Sequence, residues 1–425
     1  MSSQAGLVPV VKFLDALGFG GLFGHHVEHT RAANALYQLG DAAFLVVVGL
    51  IGGARSLSQC MALWSDEVLR RVAGWQRLPD QSTLGRVFKE VRERHVSGLE
   101  TLVHALRQRV WARALRAGRS HLATQCQKWI DADSTVKTVY GRQQGTAKGY
   151  NPHKRGARSY HPLLAFCSDT KEIVQAWLRT GSAYTSNGMV AFMQQLLAQF
   201  PAHHRLILRA DSGFFDGALL DLLDARGHGY LIKVKMRNLA QLLGQQRWTP
   251  IHRRRGWEQC EFSHRAGGWS RERFFLAVRC PQARDADHPQ GELLELECYD
   301  CFCYVSTEPL SPWLAHRTYG QRATSETWIE EAKSQMGLAH LKTVHFLANA
   351  ALFQCAVLAY NTLRWMALLS GNAQLKRWEP QSIRLFLIRV AGKLLTGANQ
   401  LRIKLARQHL HARVWEDWLA LSQPL

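Results

Sequence analysis

A mixed α/β fold is what this sequence predicts: a sheet flanked by helices, interrupted by a β-rich insertion and enclosed by helical ends. Three observations carry that expectation. Apolar residues recur at helical spacing through residues 1–120 and again from Ala323 onward. Between Gln127 and Arg226, short strand-like runs give way to alternating helix and strand. Between about 236 and 312 the chain becomes irregular, rich in Arg, Trp and strand-forming segments.

The elements follow in order. Periodic apolar positions run from Val27 to Leu63 and from Leu84 to Leu106, and in LPDQSTLGRVFKEVRER Asp80 or Ser82 can accept from the free amides of a helix start. Arg86, Lys89, Arg92 and Arg94 give that helix a basic side. Strands are expected at 128–133 (KWIDAD), 161–167 (HPLLAFC) and 173–179 (IVQAWLR). A helix at 187–200, a strand at 206–210 and a helix at 214–226 closed by Gly227 complete the run. That order, β, β, β, α, β, α, is the one expected of an RNase H-like core. FSHRAGGWSRERFFLAVRC and LLELECYDCFCYV are the clearest strands of the insertion, and helical periodicity then continues through LANAALFQCAVLAYNTLRWMALL.

With 425 residues, 47% of them hydrophobic and 20% charged, the chain has the composition of an ordinary globular protein and not of a disordered one. Lys and Arg number 53 against 33 Asp and Glu, a formal charge of +20. Such an excess attracts polyanions and makes nucleic acid the favoured partner, with anionic lipid the other surface it could meet. The longest apolar run, 42–51, is about half of what a bilayer requires and reads as a buried helix. The N-terminus has no basic region ahead of an apolar core, so the protein is expected to be cytoplasmic with no membrane partner. Of nine cysteines, only Cys298, Cys301 and Cys303 are dense. They read as alternating buried thiols of a strand; the competing reading adds Cys280 or His264 to make a zinc site.

Asp131 and Asp133 stand at the end of the first strand, on one face, and Asp211 directly follows the apolar strand LILRA. Strand-end carboxylates from separate segments are what a hard divalent cation needs. A third acid comes from TYGQRATSETWIEEAK, residues 318–333. On a continuous helix Tyr319, Arg322, Glu326 and Lys333 fall in a stripe roughly 60° wide. Glu326 can then ligate metal while Arg322, Lys333 and the Tyr319 hydroxyl hold phosphate oxygens. The plainer reading of each is a turn former, a helix cap and a solvated ion pair; the convergence of all of them favours metal-assisted phosphoryl transfer.

These residues carry a resemblance. The chain resembles the DDE insertion-sequence transposases whose third acid lies in a Y-x2-R-x3-E-x6-K motif: Tyr319, Arg322, Glu326 and Lys333 match all four positions. Asp133-Ser134-Thr135 is similar to the first-aspartate motif, and Arg209 to Phe214 (RADSGF) to the second. The likeness spans about 78–365. It implies an RNase H-like fold with a β-rich insertion, catalysis by Asp133, Asp211 and Glu326 with Mg²⁺ or Mn²⁺, and cut-and-paste movement of an insertion sequence. The implied partners are double-stranded DNA with terminal inverted repeats and a target DNA, met by a homodimer on DNA at the bacterial nucleoid. Tyr319, Arg322 and Lys333 would hold the DNA end. Asp131 stays a rival to Asp133, and Trp257 and Trp269 are both open as the tryptophan that stacks on a flipped base.

The organisation this implies is a helical DNA-binding region over 1–120, a catalytic core over 121–235 and 313–370, the insertion over 236–312 and a helical region over 371–425. Further cations are expected to track phosphates: Arg86 on its helix, and His153, Lys154, Arg155 and Arg158 in a loop where Tyr150 and Tyr160 interleave aromatic surface. Arg253, Arg254 and Arg255 lie beside Trp257, and Arg402, Lys404, Arg407 and Arg413 near the C-terminus read first as the solvated face of a helix, with DNA or subunit contact as the alternative. Two alternatives stand beside the enzyme: a DNA-binding protein of the same fold without catalysis, and a zinc-containing nucleic-acid-binding module.

Overall fold

The computed structural model describes residues 1–31, 35–149, 151, 154–183, 188–282, 299–340, 343–397, 400–405 and 410–421. The fold is mixed α/β, with the element order expected of an RNase H-like core. It divides into two compact units: Met1–Gln125, Ser134–Ala183 and Thr327–Leu425 form the first, Cys126–Asp133 and Tyr184–Glu326 the second.

In the first unit the helix Phe346–Ser370 runs through the core and packs against the helices Leu39–Ile51 and Glu93–Arg116. It is long and apolar enough to cross a bilayer, yet 89% of its most apolar window is buried inside the protein. Its polar residues explain the preference for protein over lipid. Asn361 pairs with both the amide and the carbonyl of Ile173, each at 2.8 Å, and Gln354 Nε2 donates to the Ala176 carbonyl at 2.7 Å. These amides hold the antiparallel hairpin of Leu163–Cys167 and Ile173–Trp177 on the helix. Glu172 at the hairpin bend is fully buried and accepts from Trp111 Nε1 at 2.7 Å, Trp365 Nε1 at 2.5 Å and the Thr170 hydroxyl at 2.8 Å. A buried carboxylate survives there because each oxygen has donors.

Two expectations change in this unit. Of the segment read as a basic loop between strands, Lys154 and Arg155 do lie in a bend and turn, but Arg158 lies on a strand of a small three-stranded sheet of Lys137–Thr138, Arg158–Tyr160 and Ala147–Lys148. The Arg158 guanidinium bonds the Thr146 hydroxyl and carbonyl at 3.1 and 2.8 Å, closing that sheet on itself. The C-terminal region is not wholly helical: Gly392–Gly397 and Gln400–Leu405 form an antiparallel hairpin, so Arg402 and Lys404 lie on a strand. Leu401, Ile403 and Leu405 alternate at a period of two, which outweighs the helical reading. Arg413 does lie on a helix, Ala412–Ala420. Tyr150, His153, Cys298 and Arg407 lie outside the described residues.

The second unit is a twisted sheet of β1 (Gln127–Ser134), β2 (Arg205–Ala210), β3 (Gly229–Lys233), β4 (Thr249–Pro250), β5 (Glu258–His264), β6 (Arg273–Pro281) and β7 (Tyr299–Ser306). The strand order is β1-β2-β3-β7-β6-β5-β4. β1, β2 and β3 run parallel, joined by crossovers through helices α1 (Met189–Ala198) and α2 (Gly217–Ala225); the others add antiparallel. β2 is buried from Leu206 to Ala210, the continuous apolar run expected of an inner parallel strand. The insertion strands therefore continue the core sheet, because β7 pairs with β3 through Tyr304 and Lys233, Val305 and Ile232, and Ser306 and Leu231.

Candidate active site

The parallel strands end together, and the site starts at that edge. Ala132 on β1 is level with Ala210 on β2, and Ala210 with Ile232 on β3, so Asp133, Asp211 and Lys233 each follow at the carboxyl end of neighbouring strands. Asp211 caps a short 3₁₀ turn, Ser212–Phe214, its Oδ1 accepting from the Gly213 amide at 2.9 Å.

The other side of the site comes from helix α3 (Pro312–Gly320) and helix α4 (Ala323–Glu330). Ser311 accepts from the Leu314 amide and Pro312 occupies the first turn, a strong local start signal. The stretch expected as one helix is thus two. At the joint the Arg322 amide donates to the Tyr319 carbonyl and the Ser325 amide to the Arg322 carbonyl, each at 2.8 Å, the tighter three-residue step of a 3₁₀ turn. The hydroxyls of Thr324 and Ser325 also bond the carbonyls of Gln321 and Arg322, at 2.6 and 2.8 Å, competing with regular helix bonding. After α4 the chain makes a π turn, Glu331–Gln335, which carries Lys333.

Despite the break, Tyr319, Arg322 and Glu326 line one cleft of about 390 Å³ with Asp211, Ser212 and Lys233. Arg322 is its centre: Nη2 lies 2.8 Å from Asp133 Oδ2 and Nη1 3.3 Å from Glu326 Oε1. Its side chain is 8% exposed, against 15% for Asp133 and 65% for Glu326. Burial pulls the Arg322 guanidinium down, and Asp133, Tyr319, Asp211 and Glu326 more than reverse this, so it stays cationic. Burial pushes the Tyr319 phenol up to about 12, opposed by Arg322 and reinforced by Asp211, Asp133 and Glu326. Tyr319 is therefore protonated and a hydrogen-bond donor at neutral pH, and it packs on Tyr304 with ring centroids 4.7 Å apart.

Asp131 is placed differently from Asp133. It is fully buried, and Arg209 grips it through Nε at 2.6 Å and Nη2 at 2.8 Å. Of the two rivals, Asp133 is the one that meets Arg322. A divalent metal implied by such a trio fits the donor chemistry, three hard carboxylates and no soft ligand. Among the described residues no group of three or more His, Cys, Asp or Glu is close enough to hold an ion as the side chains stand. Arg322 occupies one oxygen each of Asp133 and Glu326, so it shares these carboxylates with any cation they would hold.

The remaining candidates belong to the first unit or to the aromatic packing of the second. Lys333 lies 3.9 Å from Glu330. Arg86 is exposed and donates to the Thr83 hydroxyl at 3.1 Å; Lys154 is exposed 4.8 Å from the Tyr140 ring; Arg155 is exposed. Trp269 is buried against Phe215 and Phe275, whereas Trp257 is half-buried among Phe302, Trp313 and His316. Cys301 and Cys303, two apart and so on one strand face, differ in burial: Cys303 is buried as expected of a strand thiol, whereas Cys301, nearer the start of the strand, is exposed. The sequence reading missed Lys233. Its signal is a run of four buried strand positions, GYLI, ending in an exposed cation where the acids also end.

Comparison with curated proteins gives no match. One similar solved structure is the cryo-EM structure of a piggyBac transposase synaptic complex with hairpin DNA, at 12% identity and a TM-score of 0.41, covering 87% of this chain and 81% of that one. The model of the family described as transposase DDE domain group 1 matches residues 1–424, so the chain belongs to that family and is a DNA transposase.

Proposed function

We propose that the chain cuts and joins the ends of an insertion sequence by metal-dependent transesterification, moving it by cut and paste, with Asp133, Asp211 and Glu326 as its catalytic carboxylates. The observation that carries this reading is the single cleft where Asp211, Tyr319, Arg322 and Glu326 meet and Arg322 reaches Asp133 at 2.8 Å. The carboxylates would hold Mg²⁺ or Mn²⁺, which when bound lowers the pKa of an attacking water or 3′-hydroxyl and offsets charge on the leaving oxygen.

The chain's own groups do the rest. Tyr319 keeps its proton and donates a hydrogen bond to a phosphate oxygen; Arg322 offers a fork that a phosphate can take in competition with Asp133 and Glu326. Lys333, Arg86, Lys154, Arg155 and Arg158 add cations along the backbone of double-stranded DNA with terminal inverted repeats, and of the target. Two copies on DNA pair two ends.

The test uses purified protein, Mg²⁺ and duplexes bearing the inverted repeats that flank the coding region. Asp133→Ala, Asp211→Ala and Glu326→Ala should each abolish cleavage and leave binding largely intact. Persistent Mg²⁺-dependent cleavage in the three variants would refute the assignment.

A further inference from the structure

The cleft carries a cation that the four-residue motif does not include. Lys233 closes β3 one position beyond Ile232, which is level with Ala210, so it stands beside Asp211 at the carboxyl ends of two parallel strands. On its other flank it is paired in register with Tyr304, whose ring packs against Tyr319. Leu231, two positions back on the same face, is fully buried while Lys233 is exposed, so it is the end of the strand that brings the lysine out of the core, where it lines the cleft.

Its charge is uncommitted. Arg322, the other cation of the cleft, is engaged by Asp133 and Glu326, whereas among the described residues no carboxylate oxygen lies within 4.0 Å of the Lys233 ammonium. An amine left without a counter-ion at the mouth of a cleft of about 390 Å³ has room for a phosphodiester beside it. With no carboxylate of the cleft as its partner, the ammonium is available to an anionic ligand. A solvated strand-end lysine would satisfy the exposure alone. It would not account for a place between the second aspartate and the phenol that donates to phosphate.

We infer that Lys233 grips a non-bridging phosphate oxygen of the DNA strand in the cleft, acting as a point charge where Arg322 acts as a fork. The inference rests on the proposed cleavage activity and deepens it by adding a substrate-contacting residue at the same site.

The experiment is single-turnover cleavage of inverted-repeat duplexes that carry one uncharged methylphosphonate at each phosphate near the cut in turn. With the wild-type chain, neutralising the contacted phosphate slows cleavage. Lys233→Ala should be about ten- to a hundredfold slower on natural DNA and should show no further loss at that one position, while Lys233→Arg recovers most of the rate. Circular dichroism and thermal melting confirm that both variants fold, as an exposed position predicts. Cleavage by Lys233→Ala at the wild-type rate overturns the inference and leaves the catalytic trio standing. So does a slowed variant whose methylphosphonate profile matches the wild type, which would mark a structural role. No cleavage by the wild-type chain of any cognate end defeats the proposed function and this inference with it.

Discussion

Arg209 holds Asp131 by two parallel hydrogen bonds, Nε to Oδ1 at 2.6 Å and Nη2 to Oδ2 at 2.8 Å, with both side chains nearly excluded from water. The same guanidinium donates through Nη1 to the Thr318 carbonyl at 2.6 Å and stands 5.5 Å from the Trp129 ring. The pair thus fixes β1, β2 and the end of α3 together, and Tyr319 and Arg322 inherit their position from it.

Asp131 and Asp133 should separate by what their loss does. Asp131→Ala leaves a buried guanidinium uncompensated, a loss of about 3–5 kcal/mol. Asp133→Ala should cost much less, because Glu326 still faces Arg322 and the site opens to solvent, but it should end cleavage. Urea unfolding of the two variants checks this; equal stabilities would contradict the division of roles.

Arg322 should govern access of divalent cations. Arg322→Gln removes a charged partner from Asp133 and Glu326, interactions of a class worth about 1.5–3 kcal/mol. Mn²⁺ should therefore bind the DNA-free variant on the order of tenfold more tightly than the wild type, while DNA cleavage falls. Titration followed by electron paramagnetic resonance reads the free Mn²⁺. Weaker binding in the variant would mean that Arg322 supports the cation instead of excluding it.

Glu100, half-buried on the helix Glu93–Arg116, has a carboxyl pushed up to about 7 by burial. The folded state holds this proton more tightly than the unfolded chain does, so the contribution is favourable below the unfolded value near 4.5 and is lost as pH rises toward about 7. Glu100→Gln should then gain stability relative to the wild type across that window and keep a constant advantage above it. Denaturant midpoints at pH 5 and pH 8 test the sign, and a constant difference between the two proteins would rule it out.

DNA binding should weaken steeply with salt, as the charge of +20 requires. If Lys154 contacts a phosphate, Lys154→Ala lowers the slope of log affinity against log salt by about 0.9. An unchanged slope would return Lys154 to its contact with Tyr140.

The local elements were legible because their signals are local. Alternation marked the strands, and the carboxylates at the ends of β1 and β2 were visible as acids that close apolar runs. Periodicity alone could not locate the break between Gly320 and Ala323, since Thr324 and Ser325 are tolerated in helices until their hydroxyls find carbonyls. Nor could it tell Asp131 from Asp133: two acids on one strand face look alike until a buried arginine from the neighbouring strand takes one of them. Lys233 went unread, because its significance lies in register with Asp211 across a parallel pair. The sequence by itself determined the chemistry available, three acids, a phenol and a set of cations, and most of the elements that bear them. Tertiary structure alone decided which of these groups share a cleft, because strand pairing and buried ion pairs join residues far apart in the chain and depend on burial that no local pattern records.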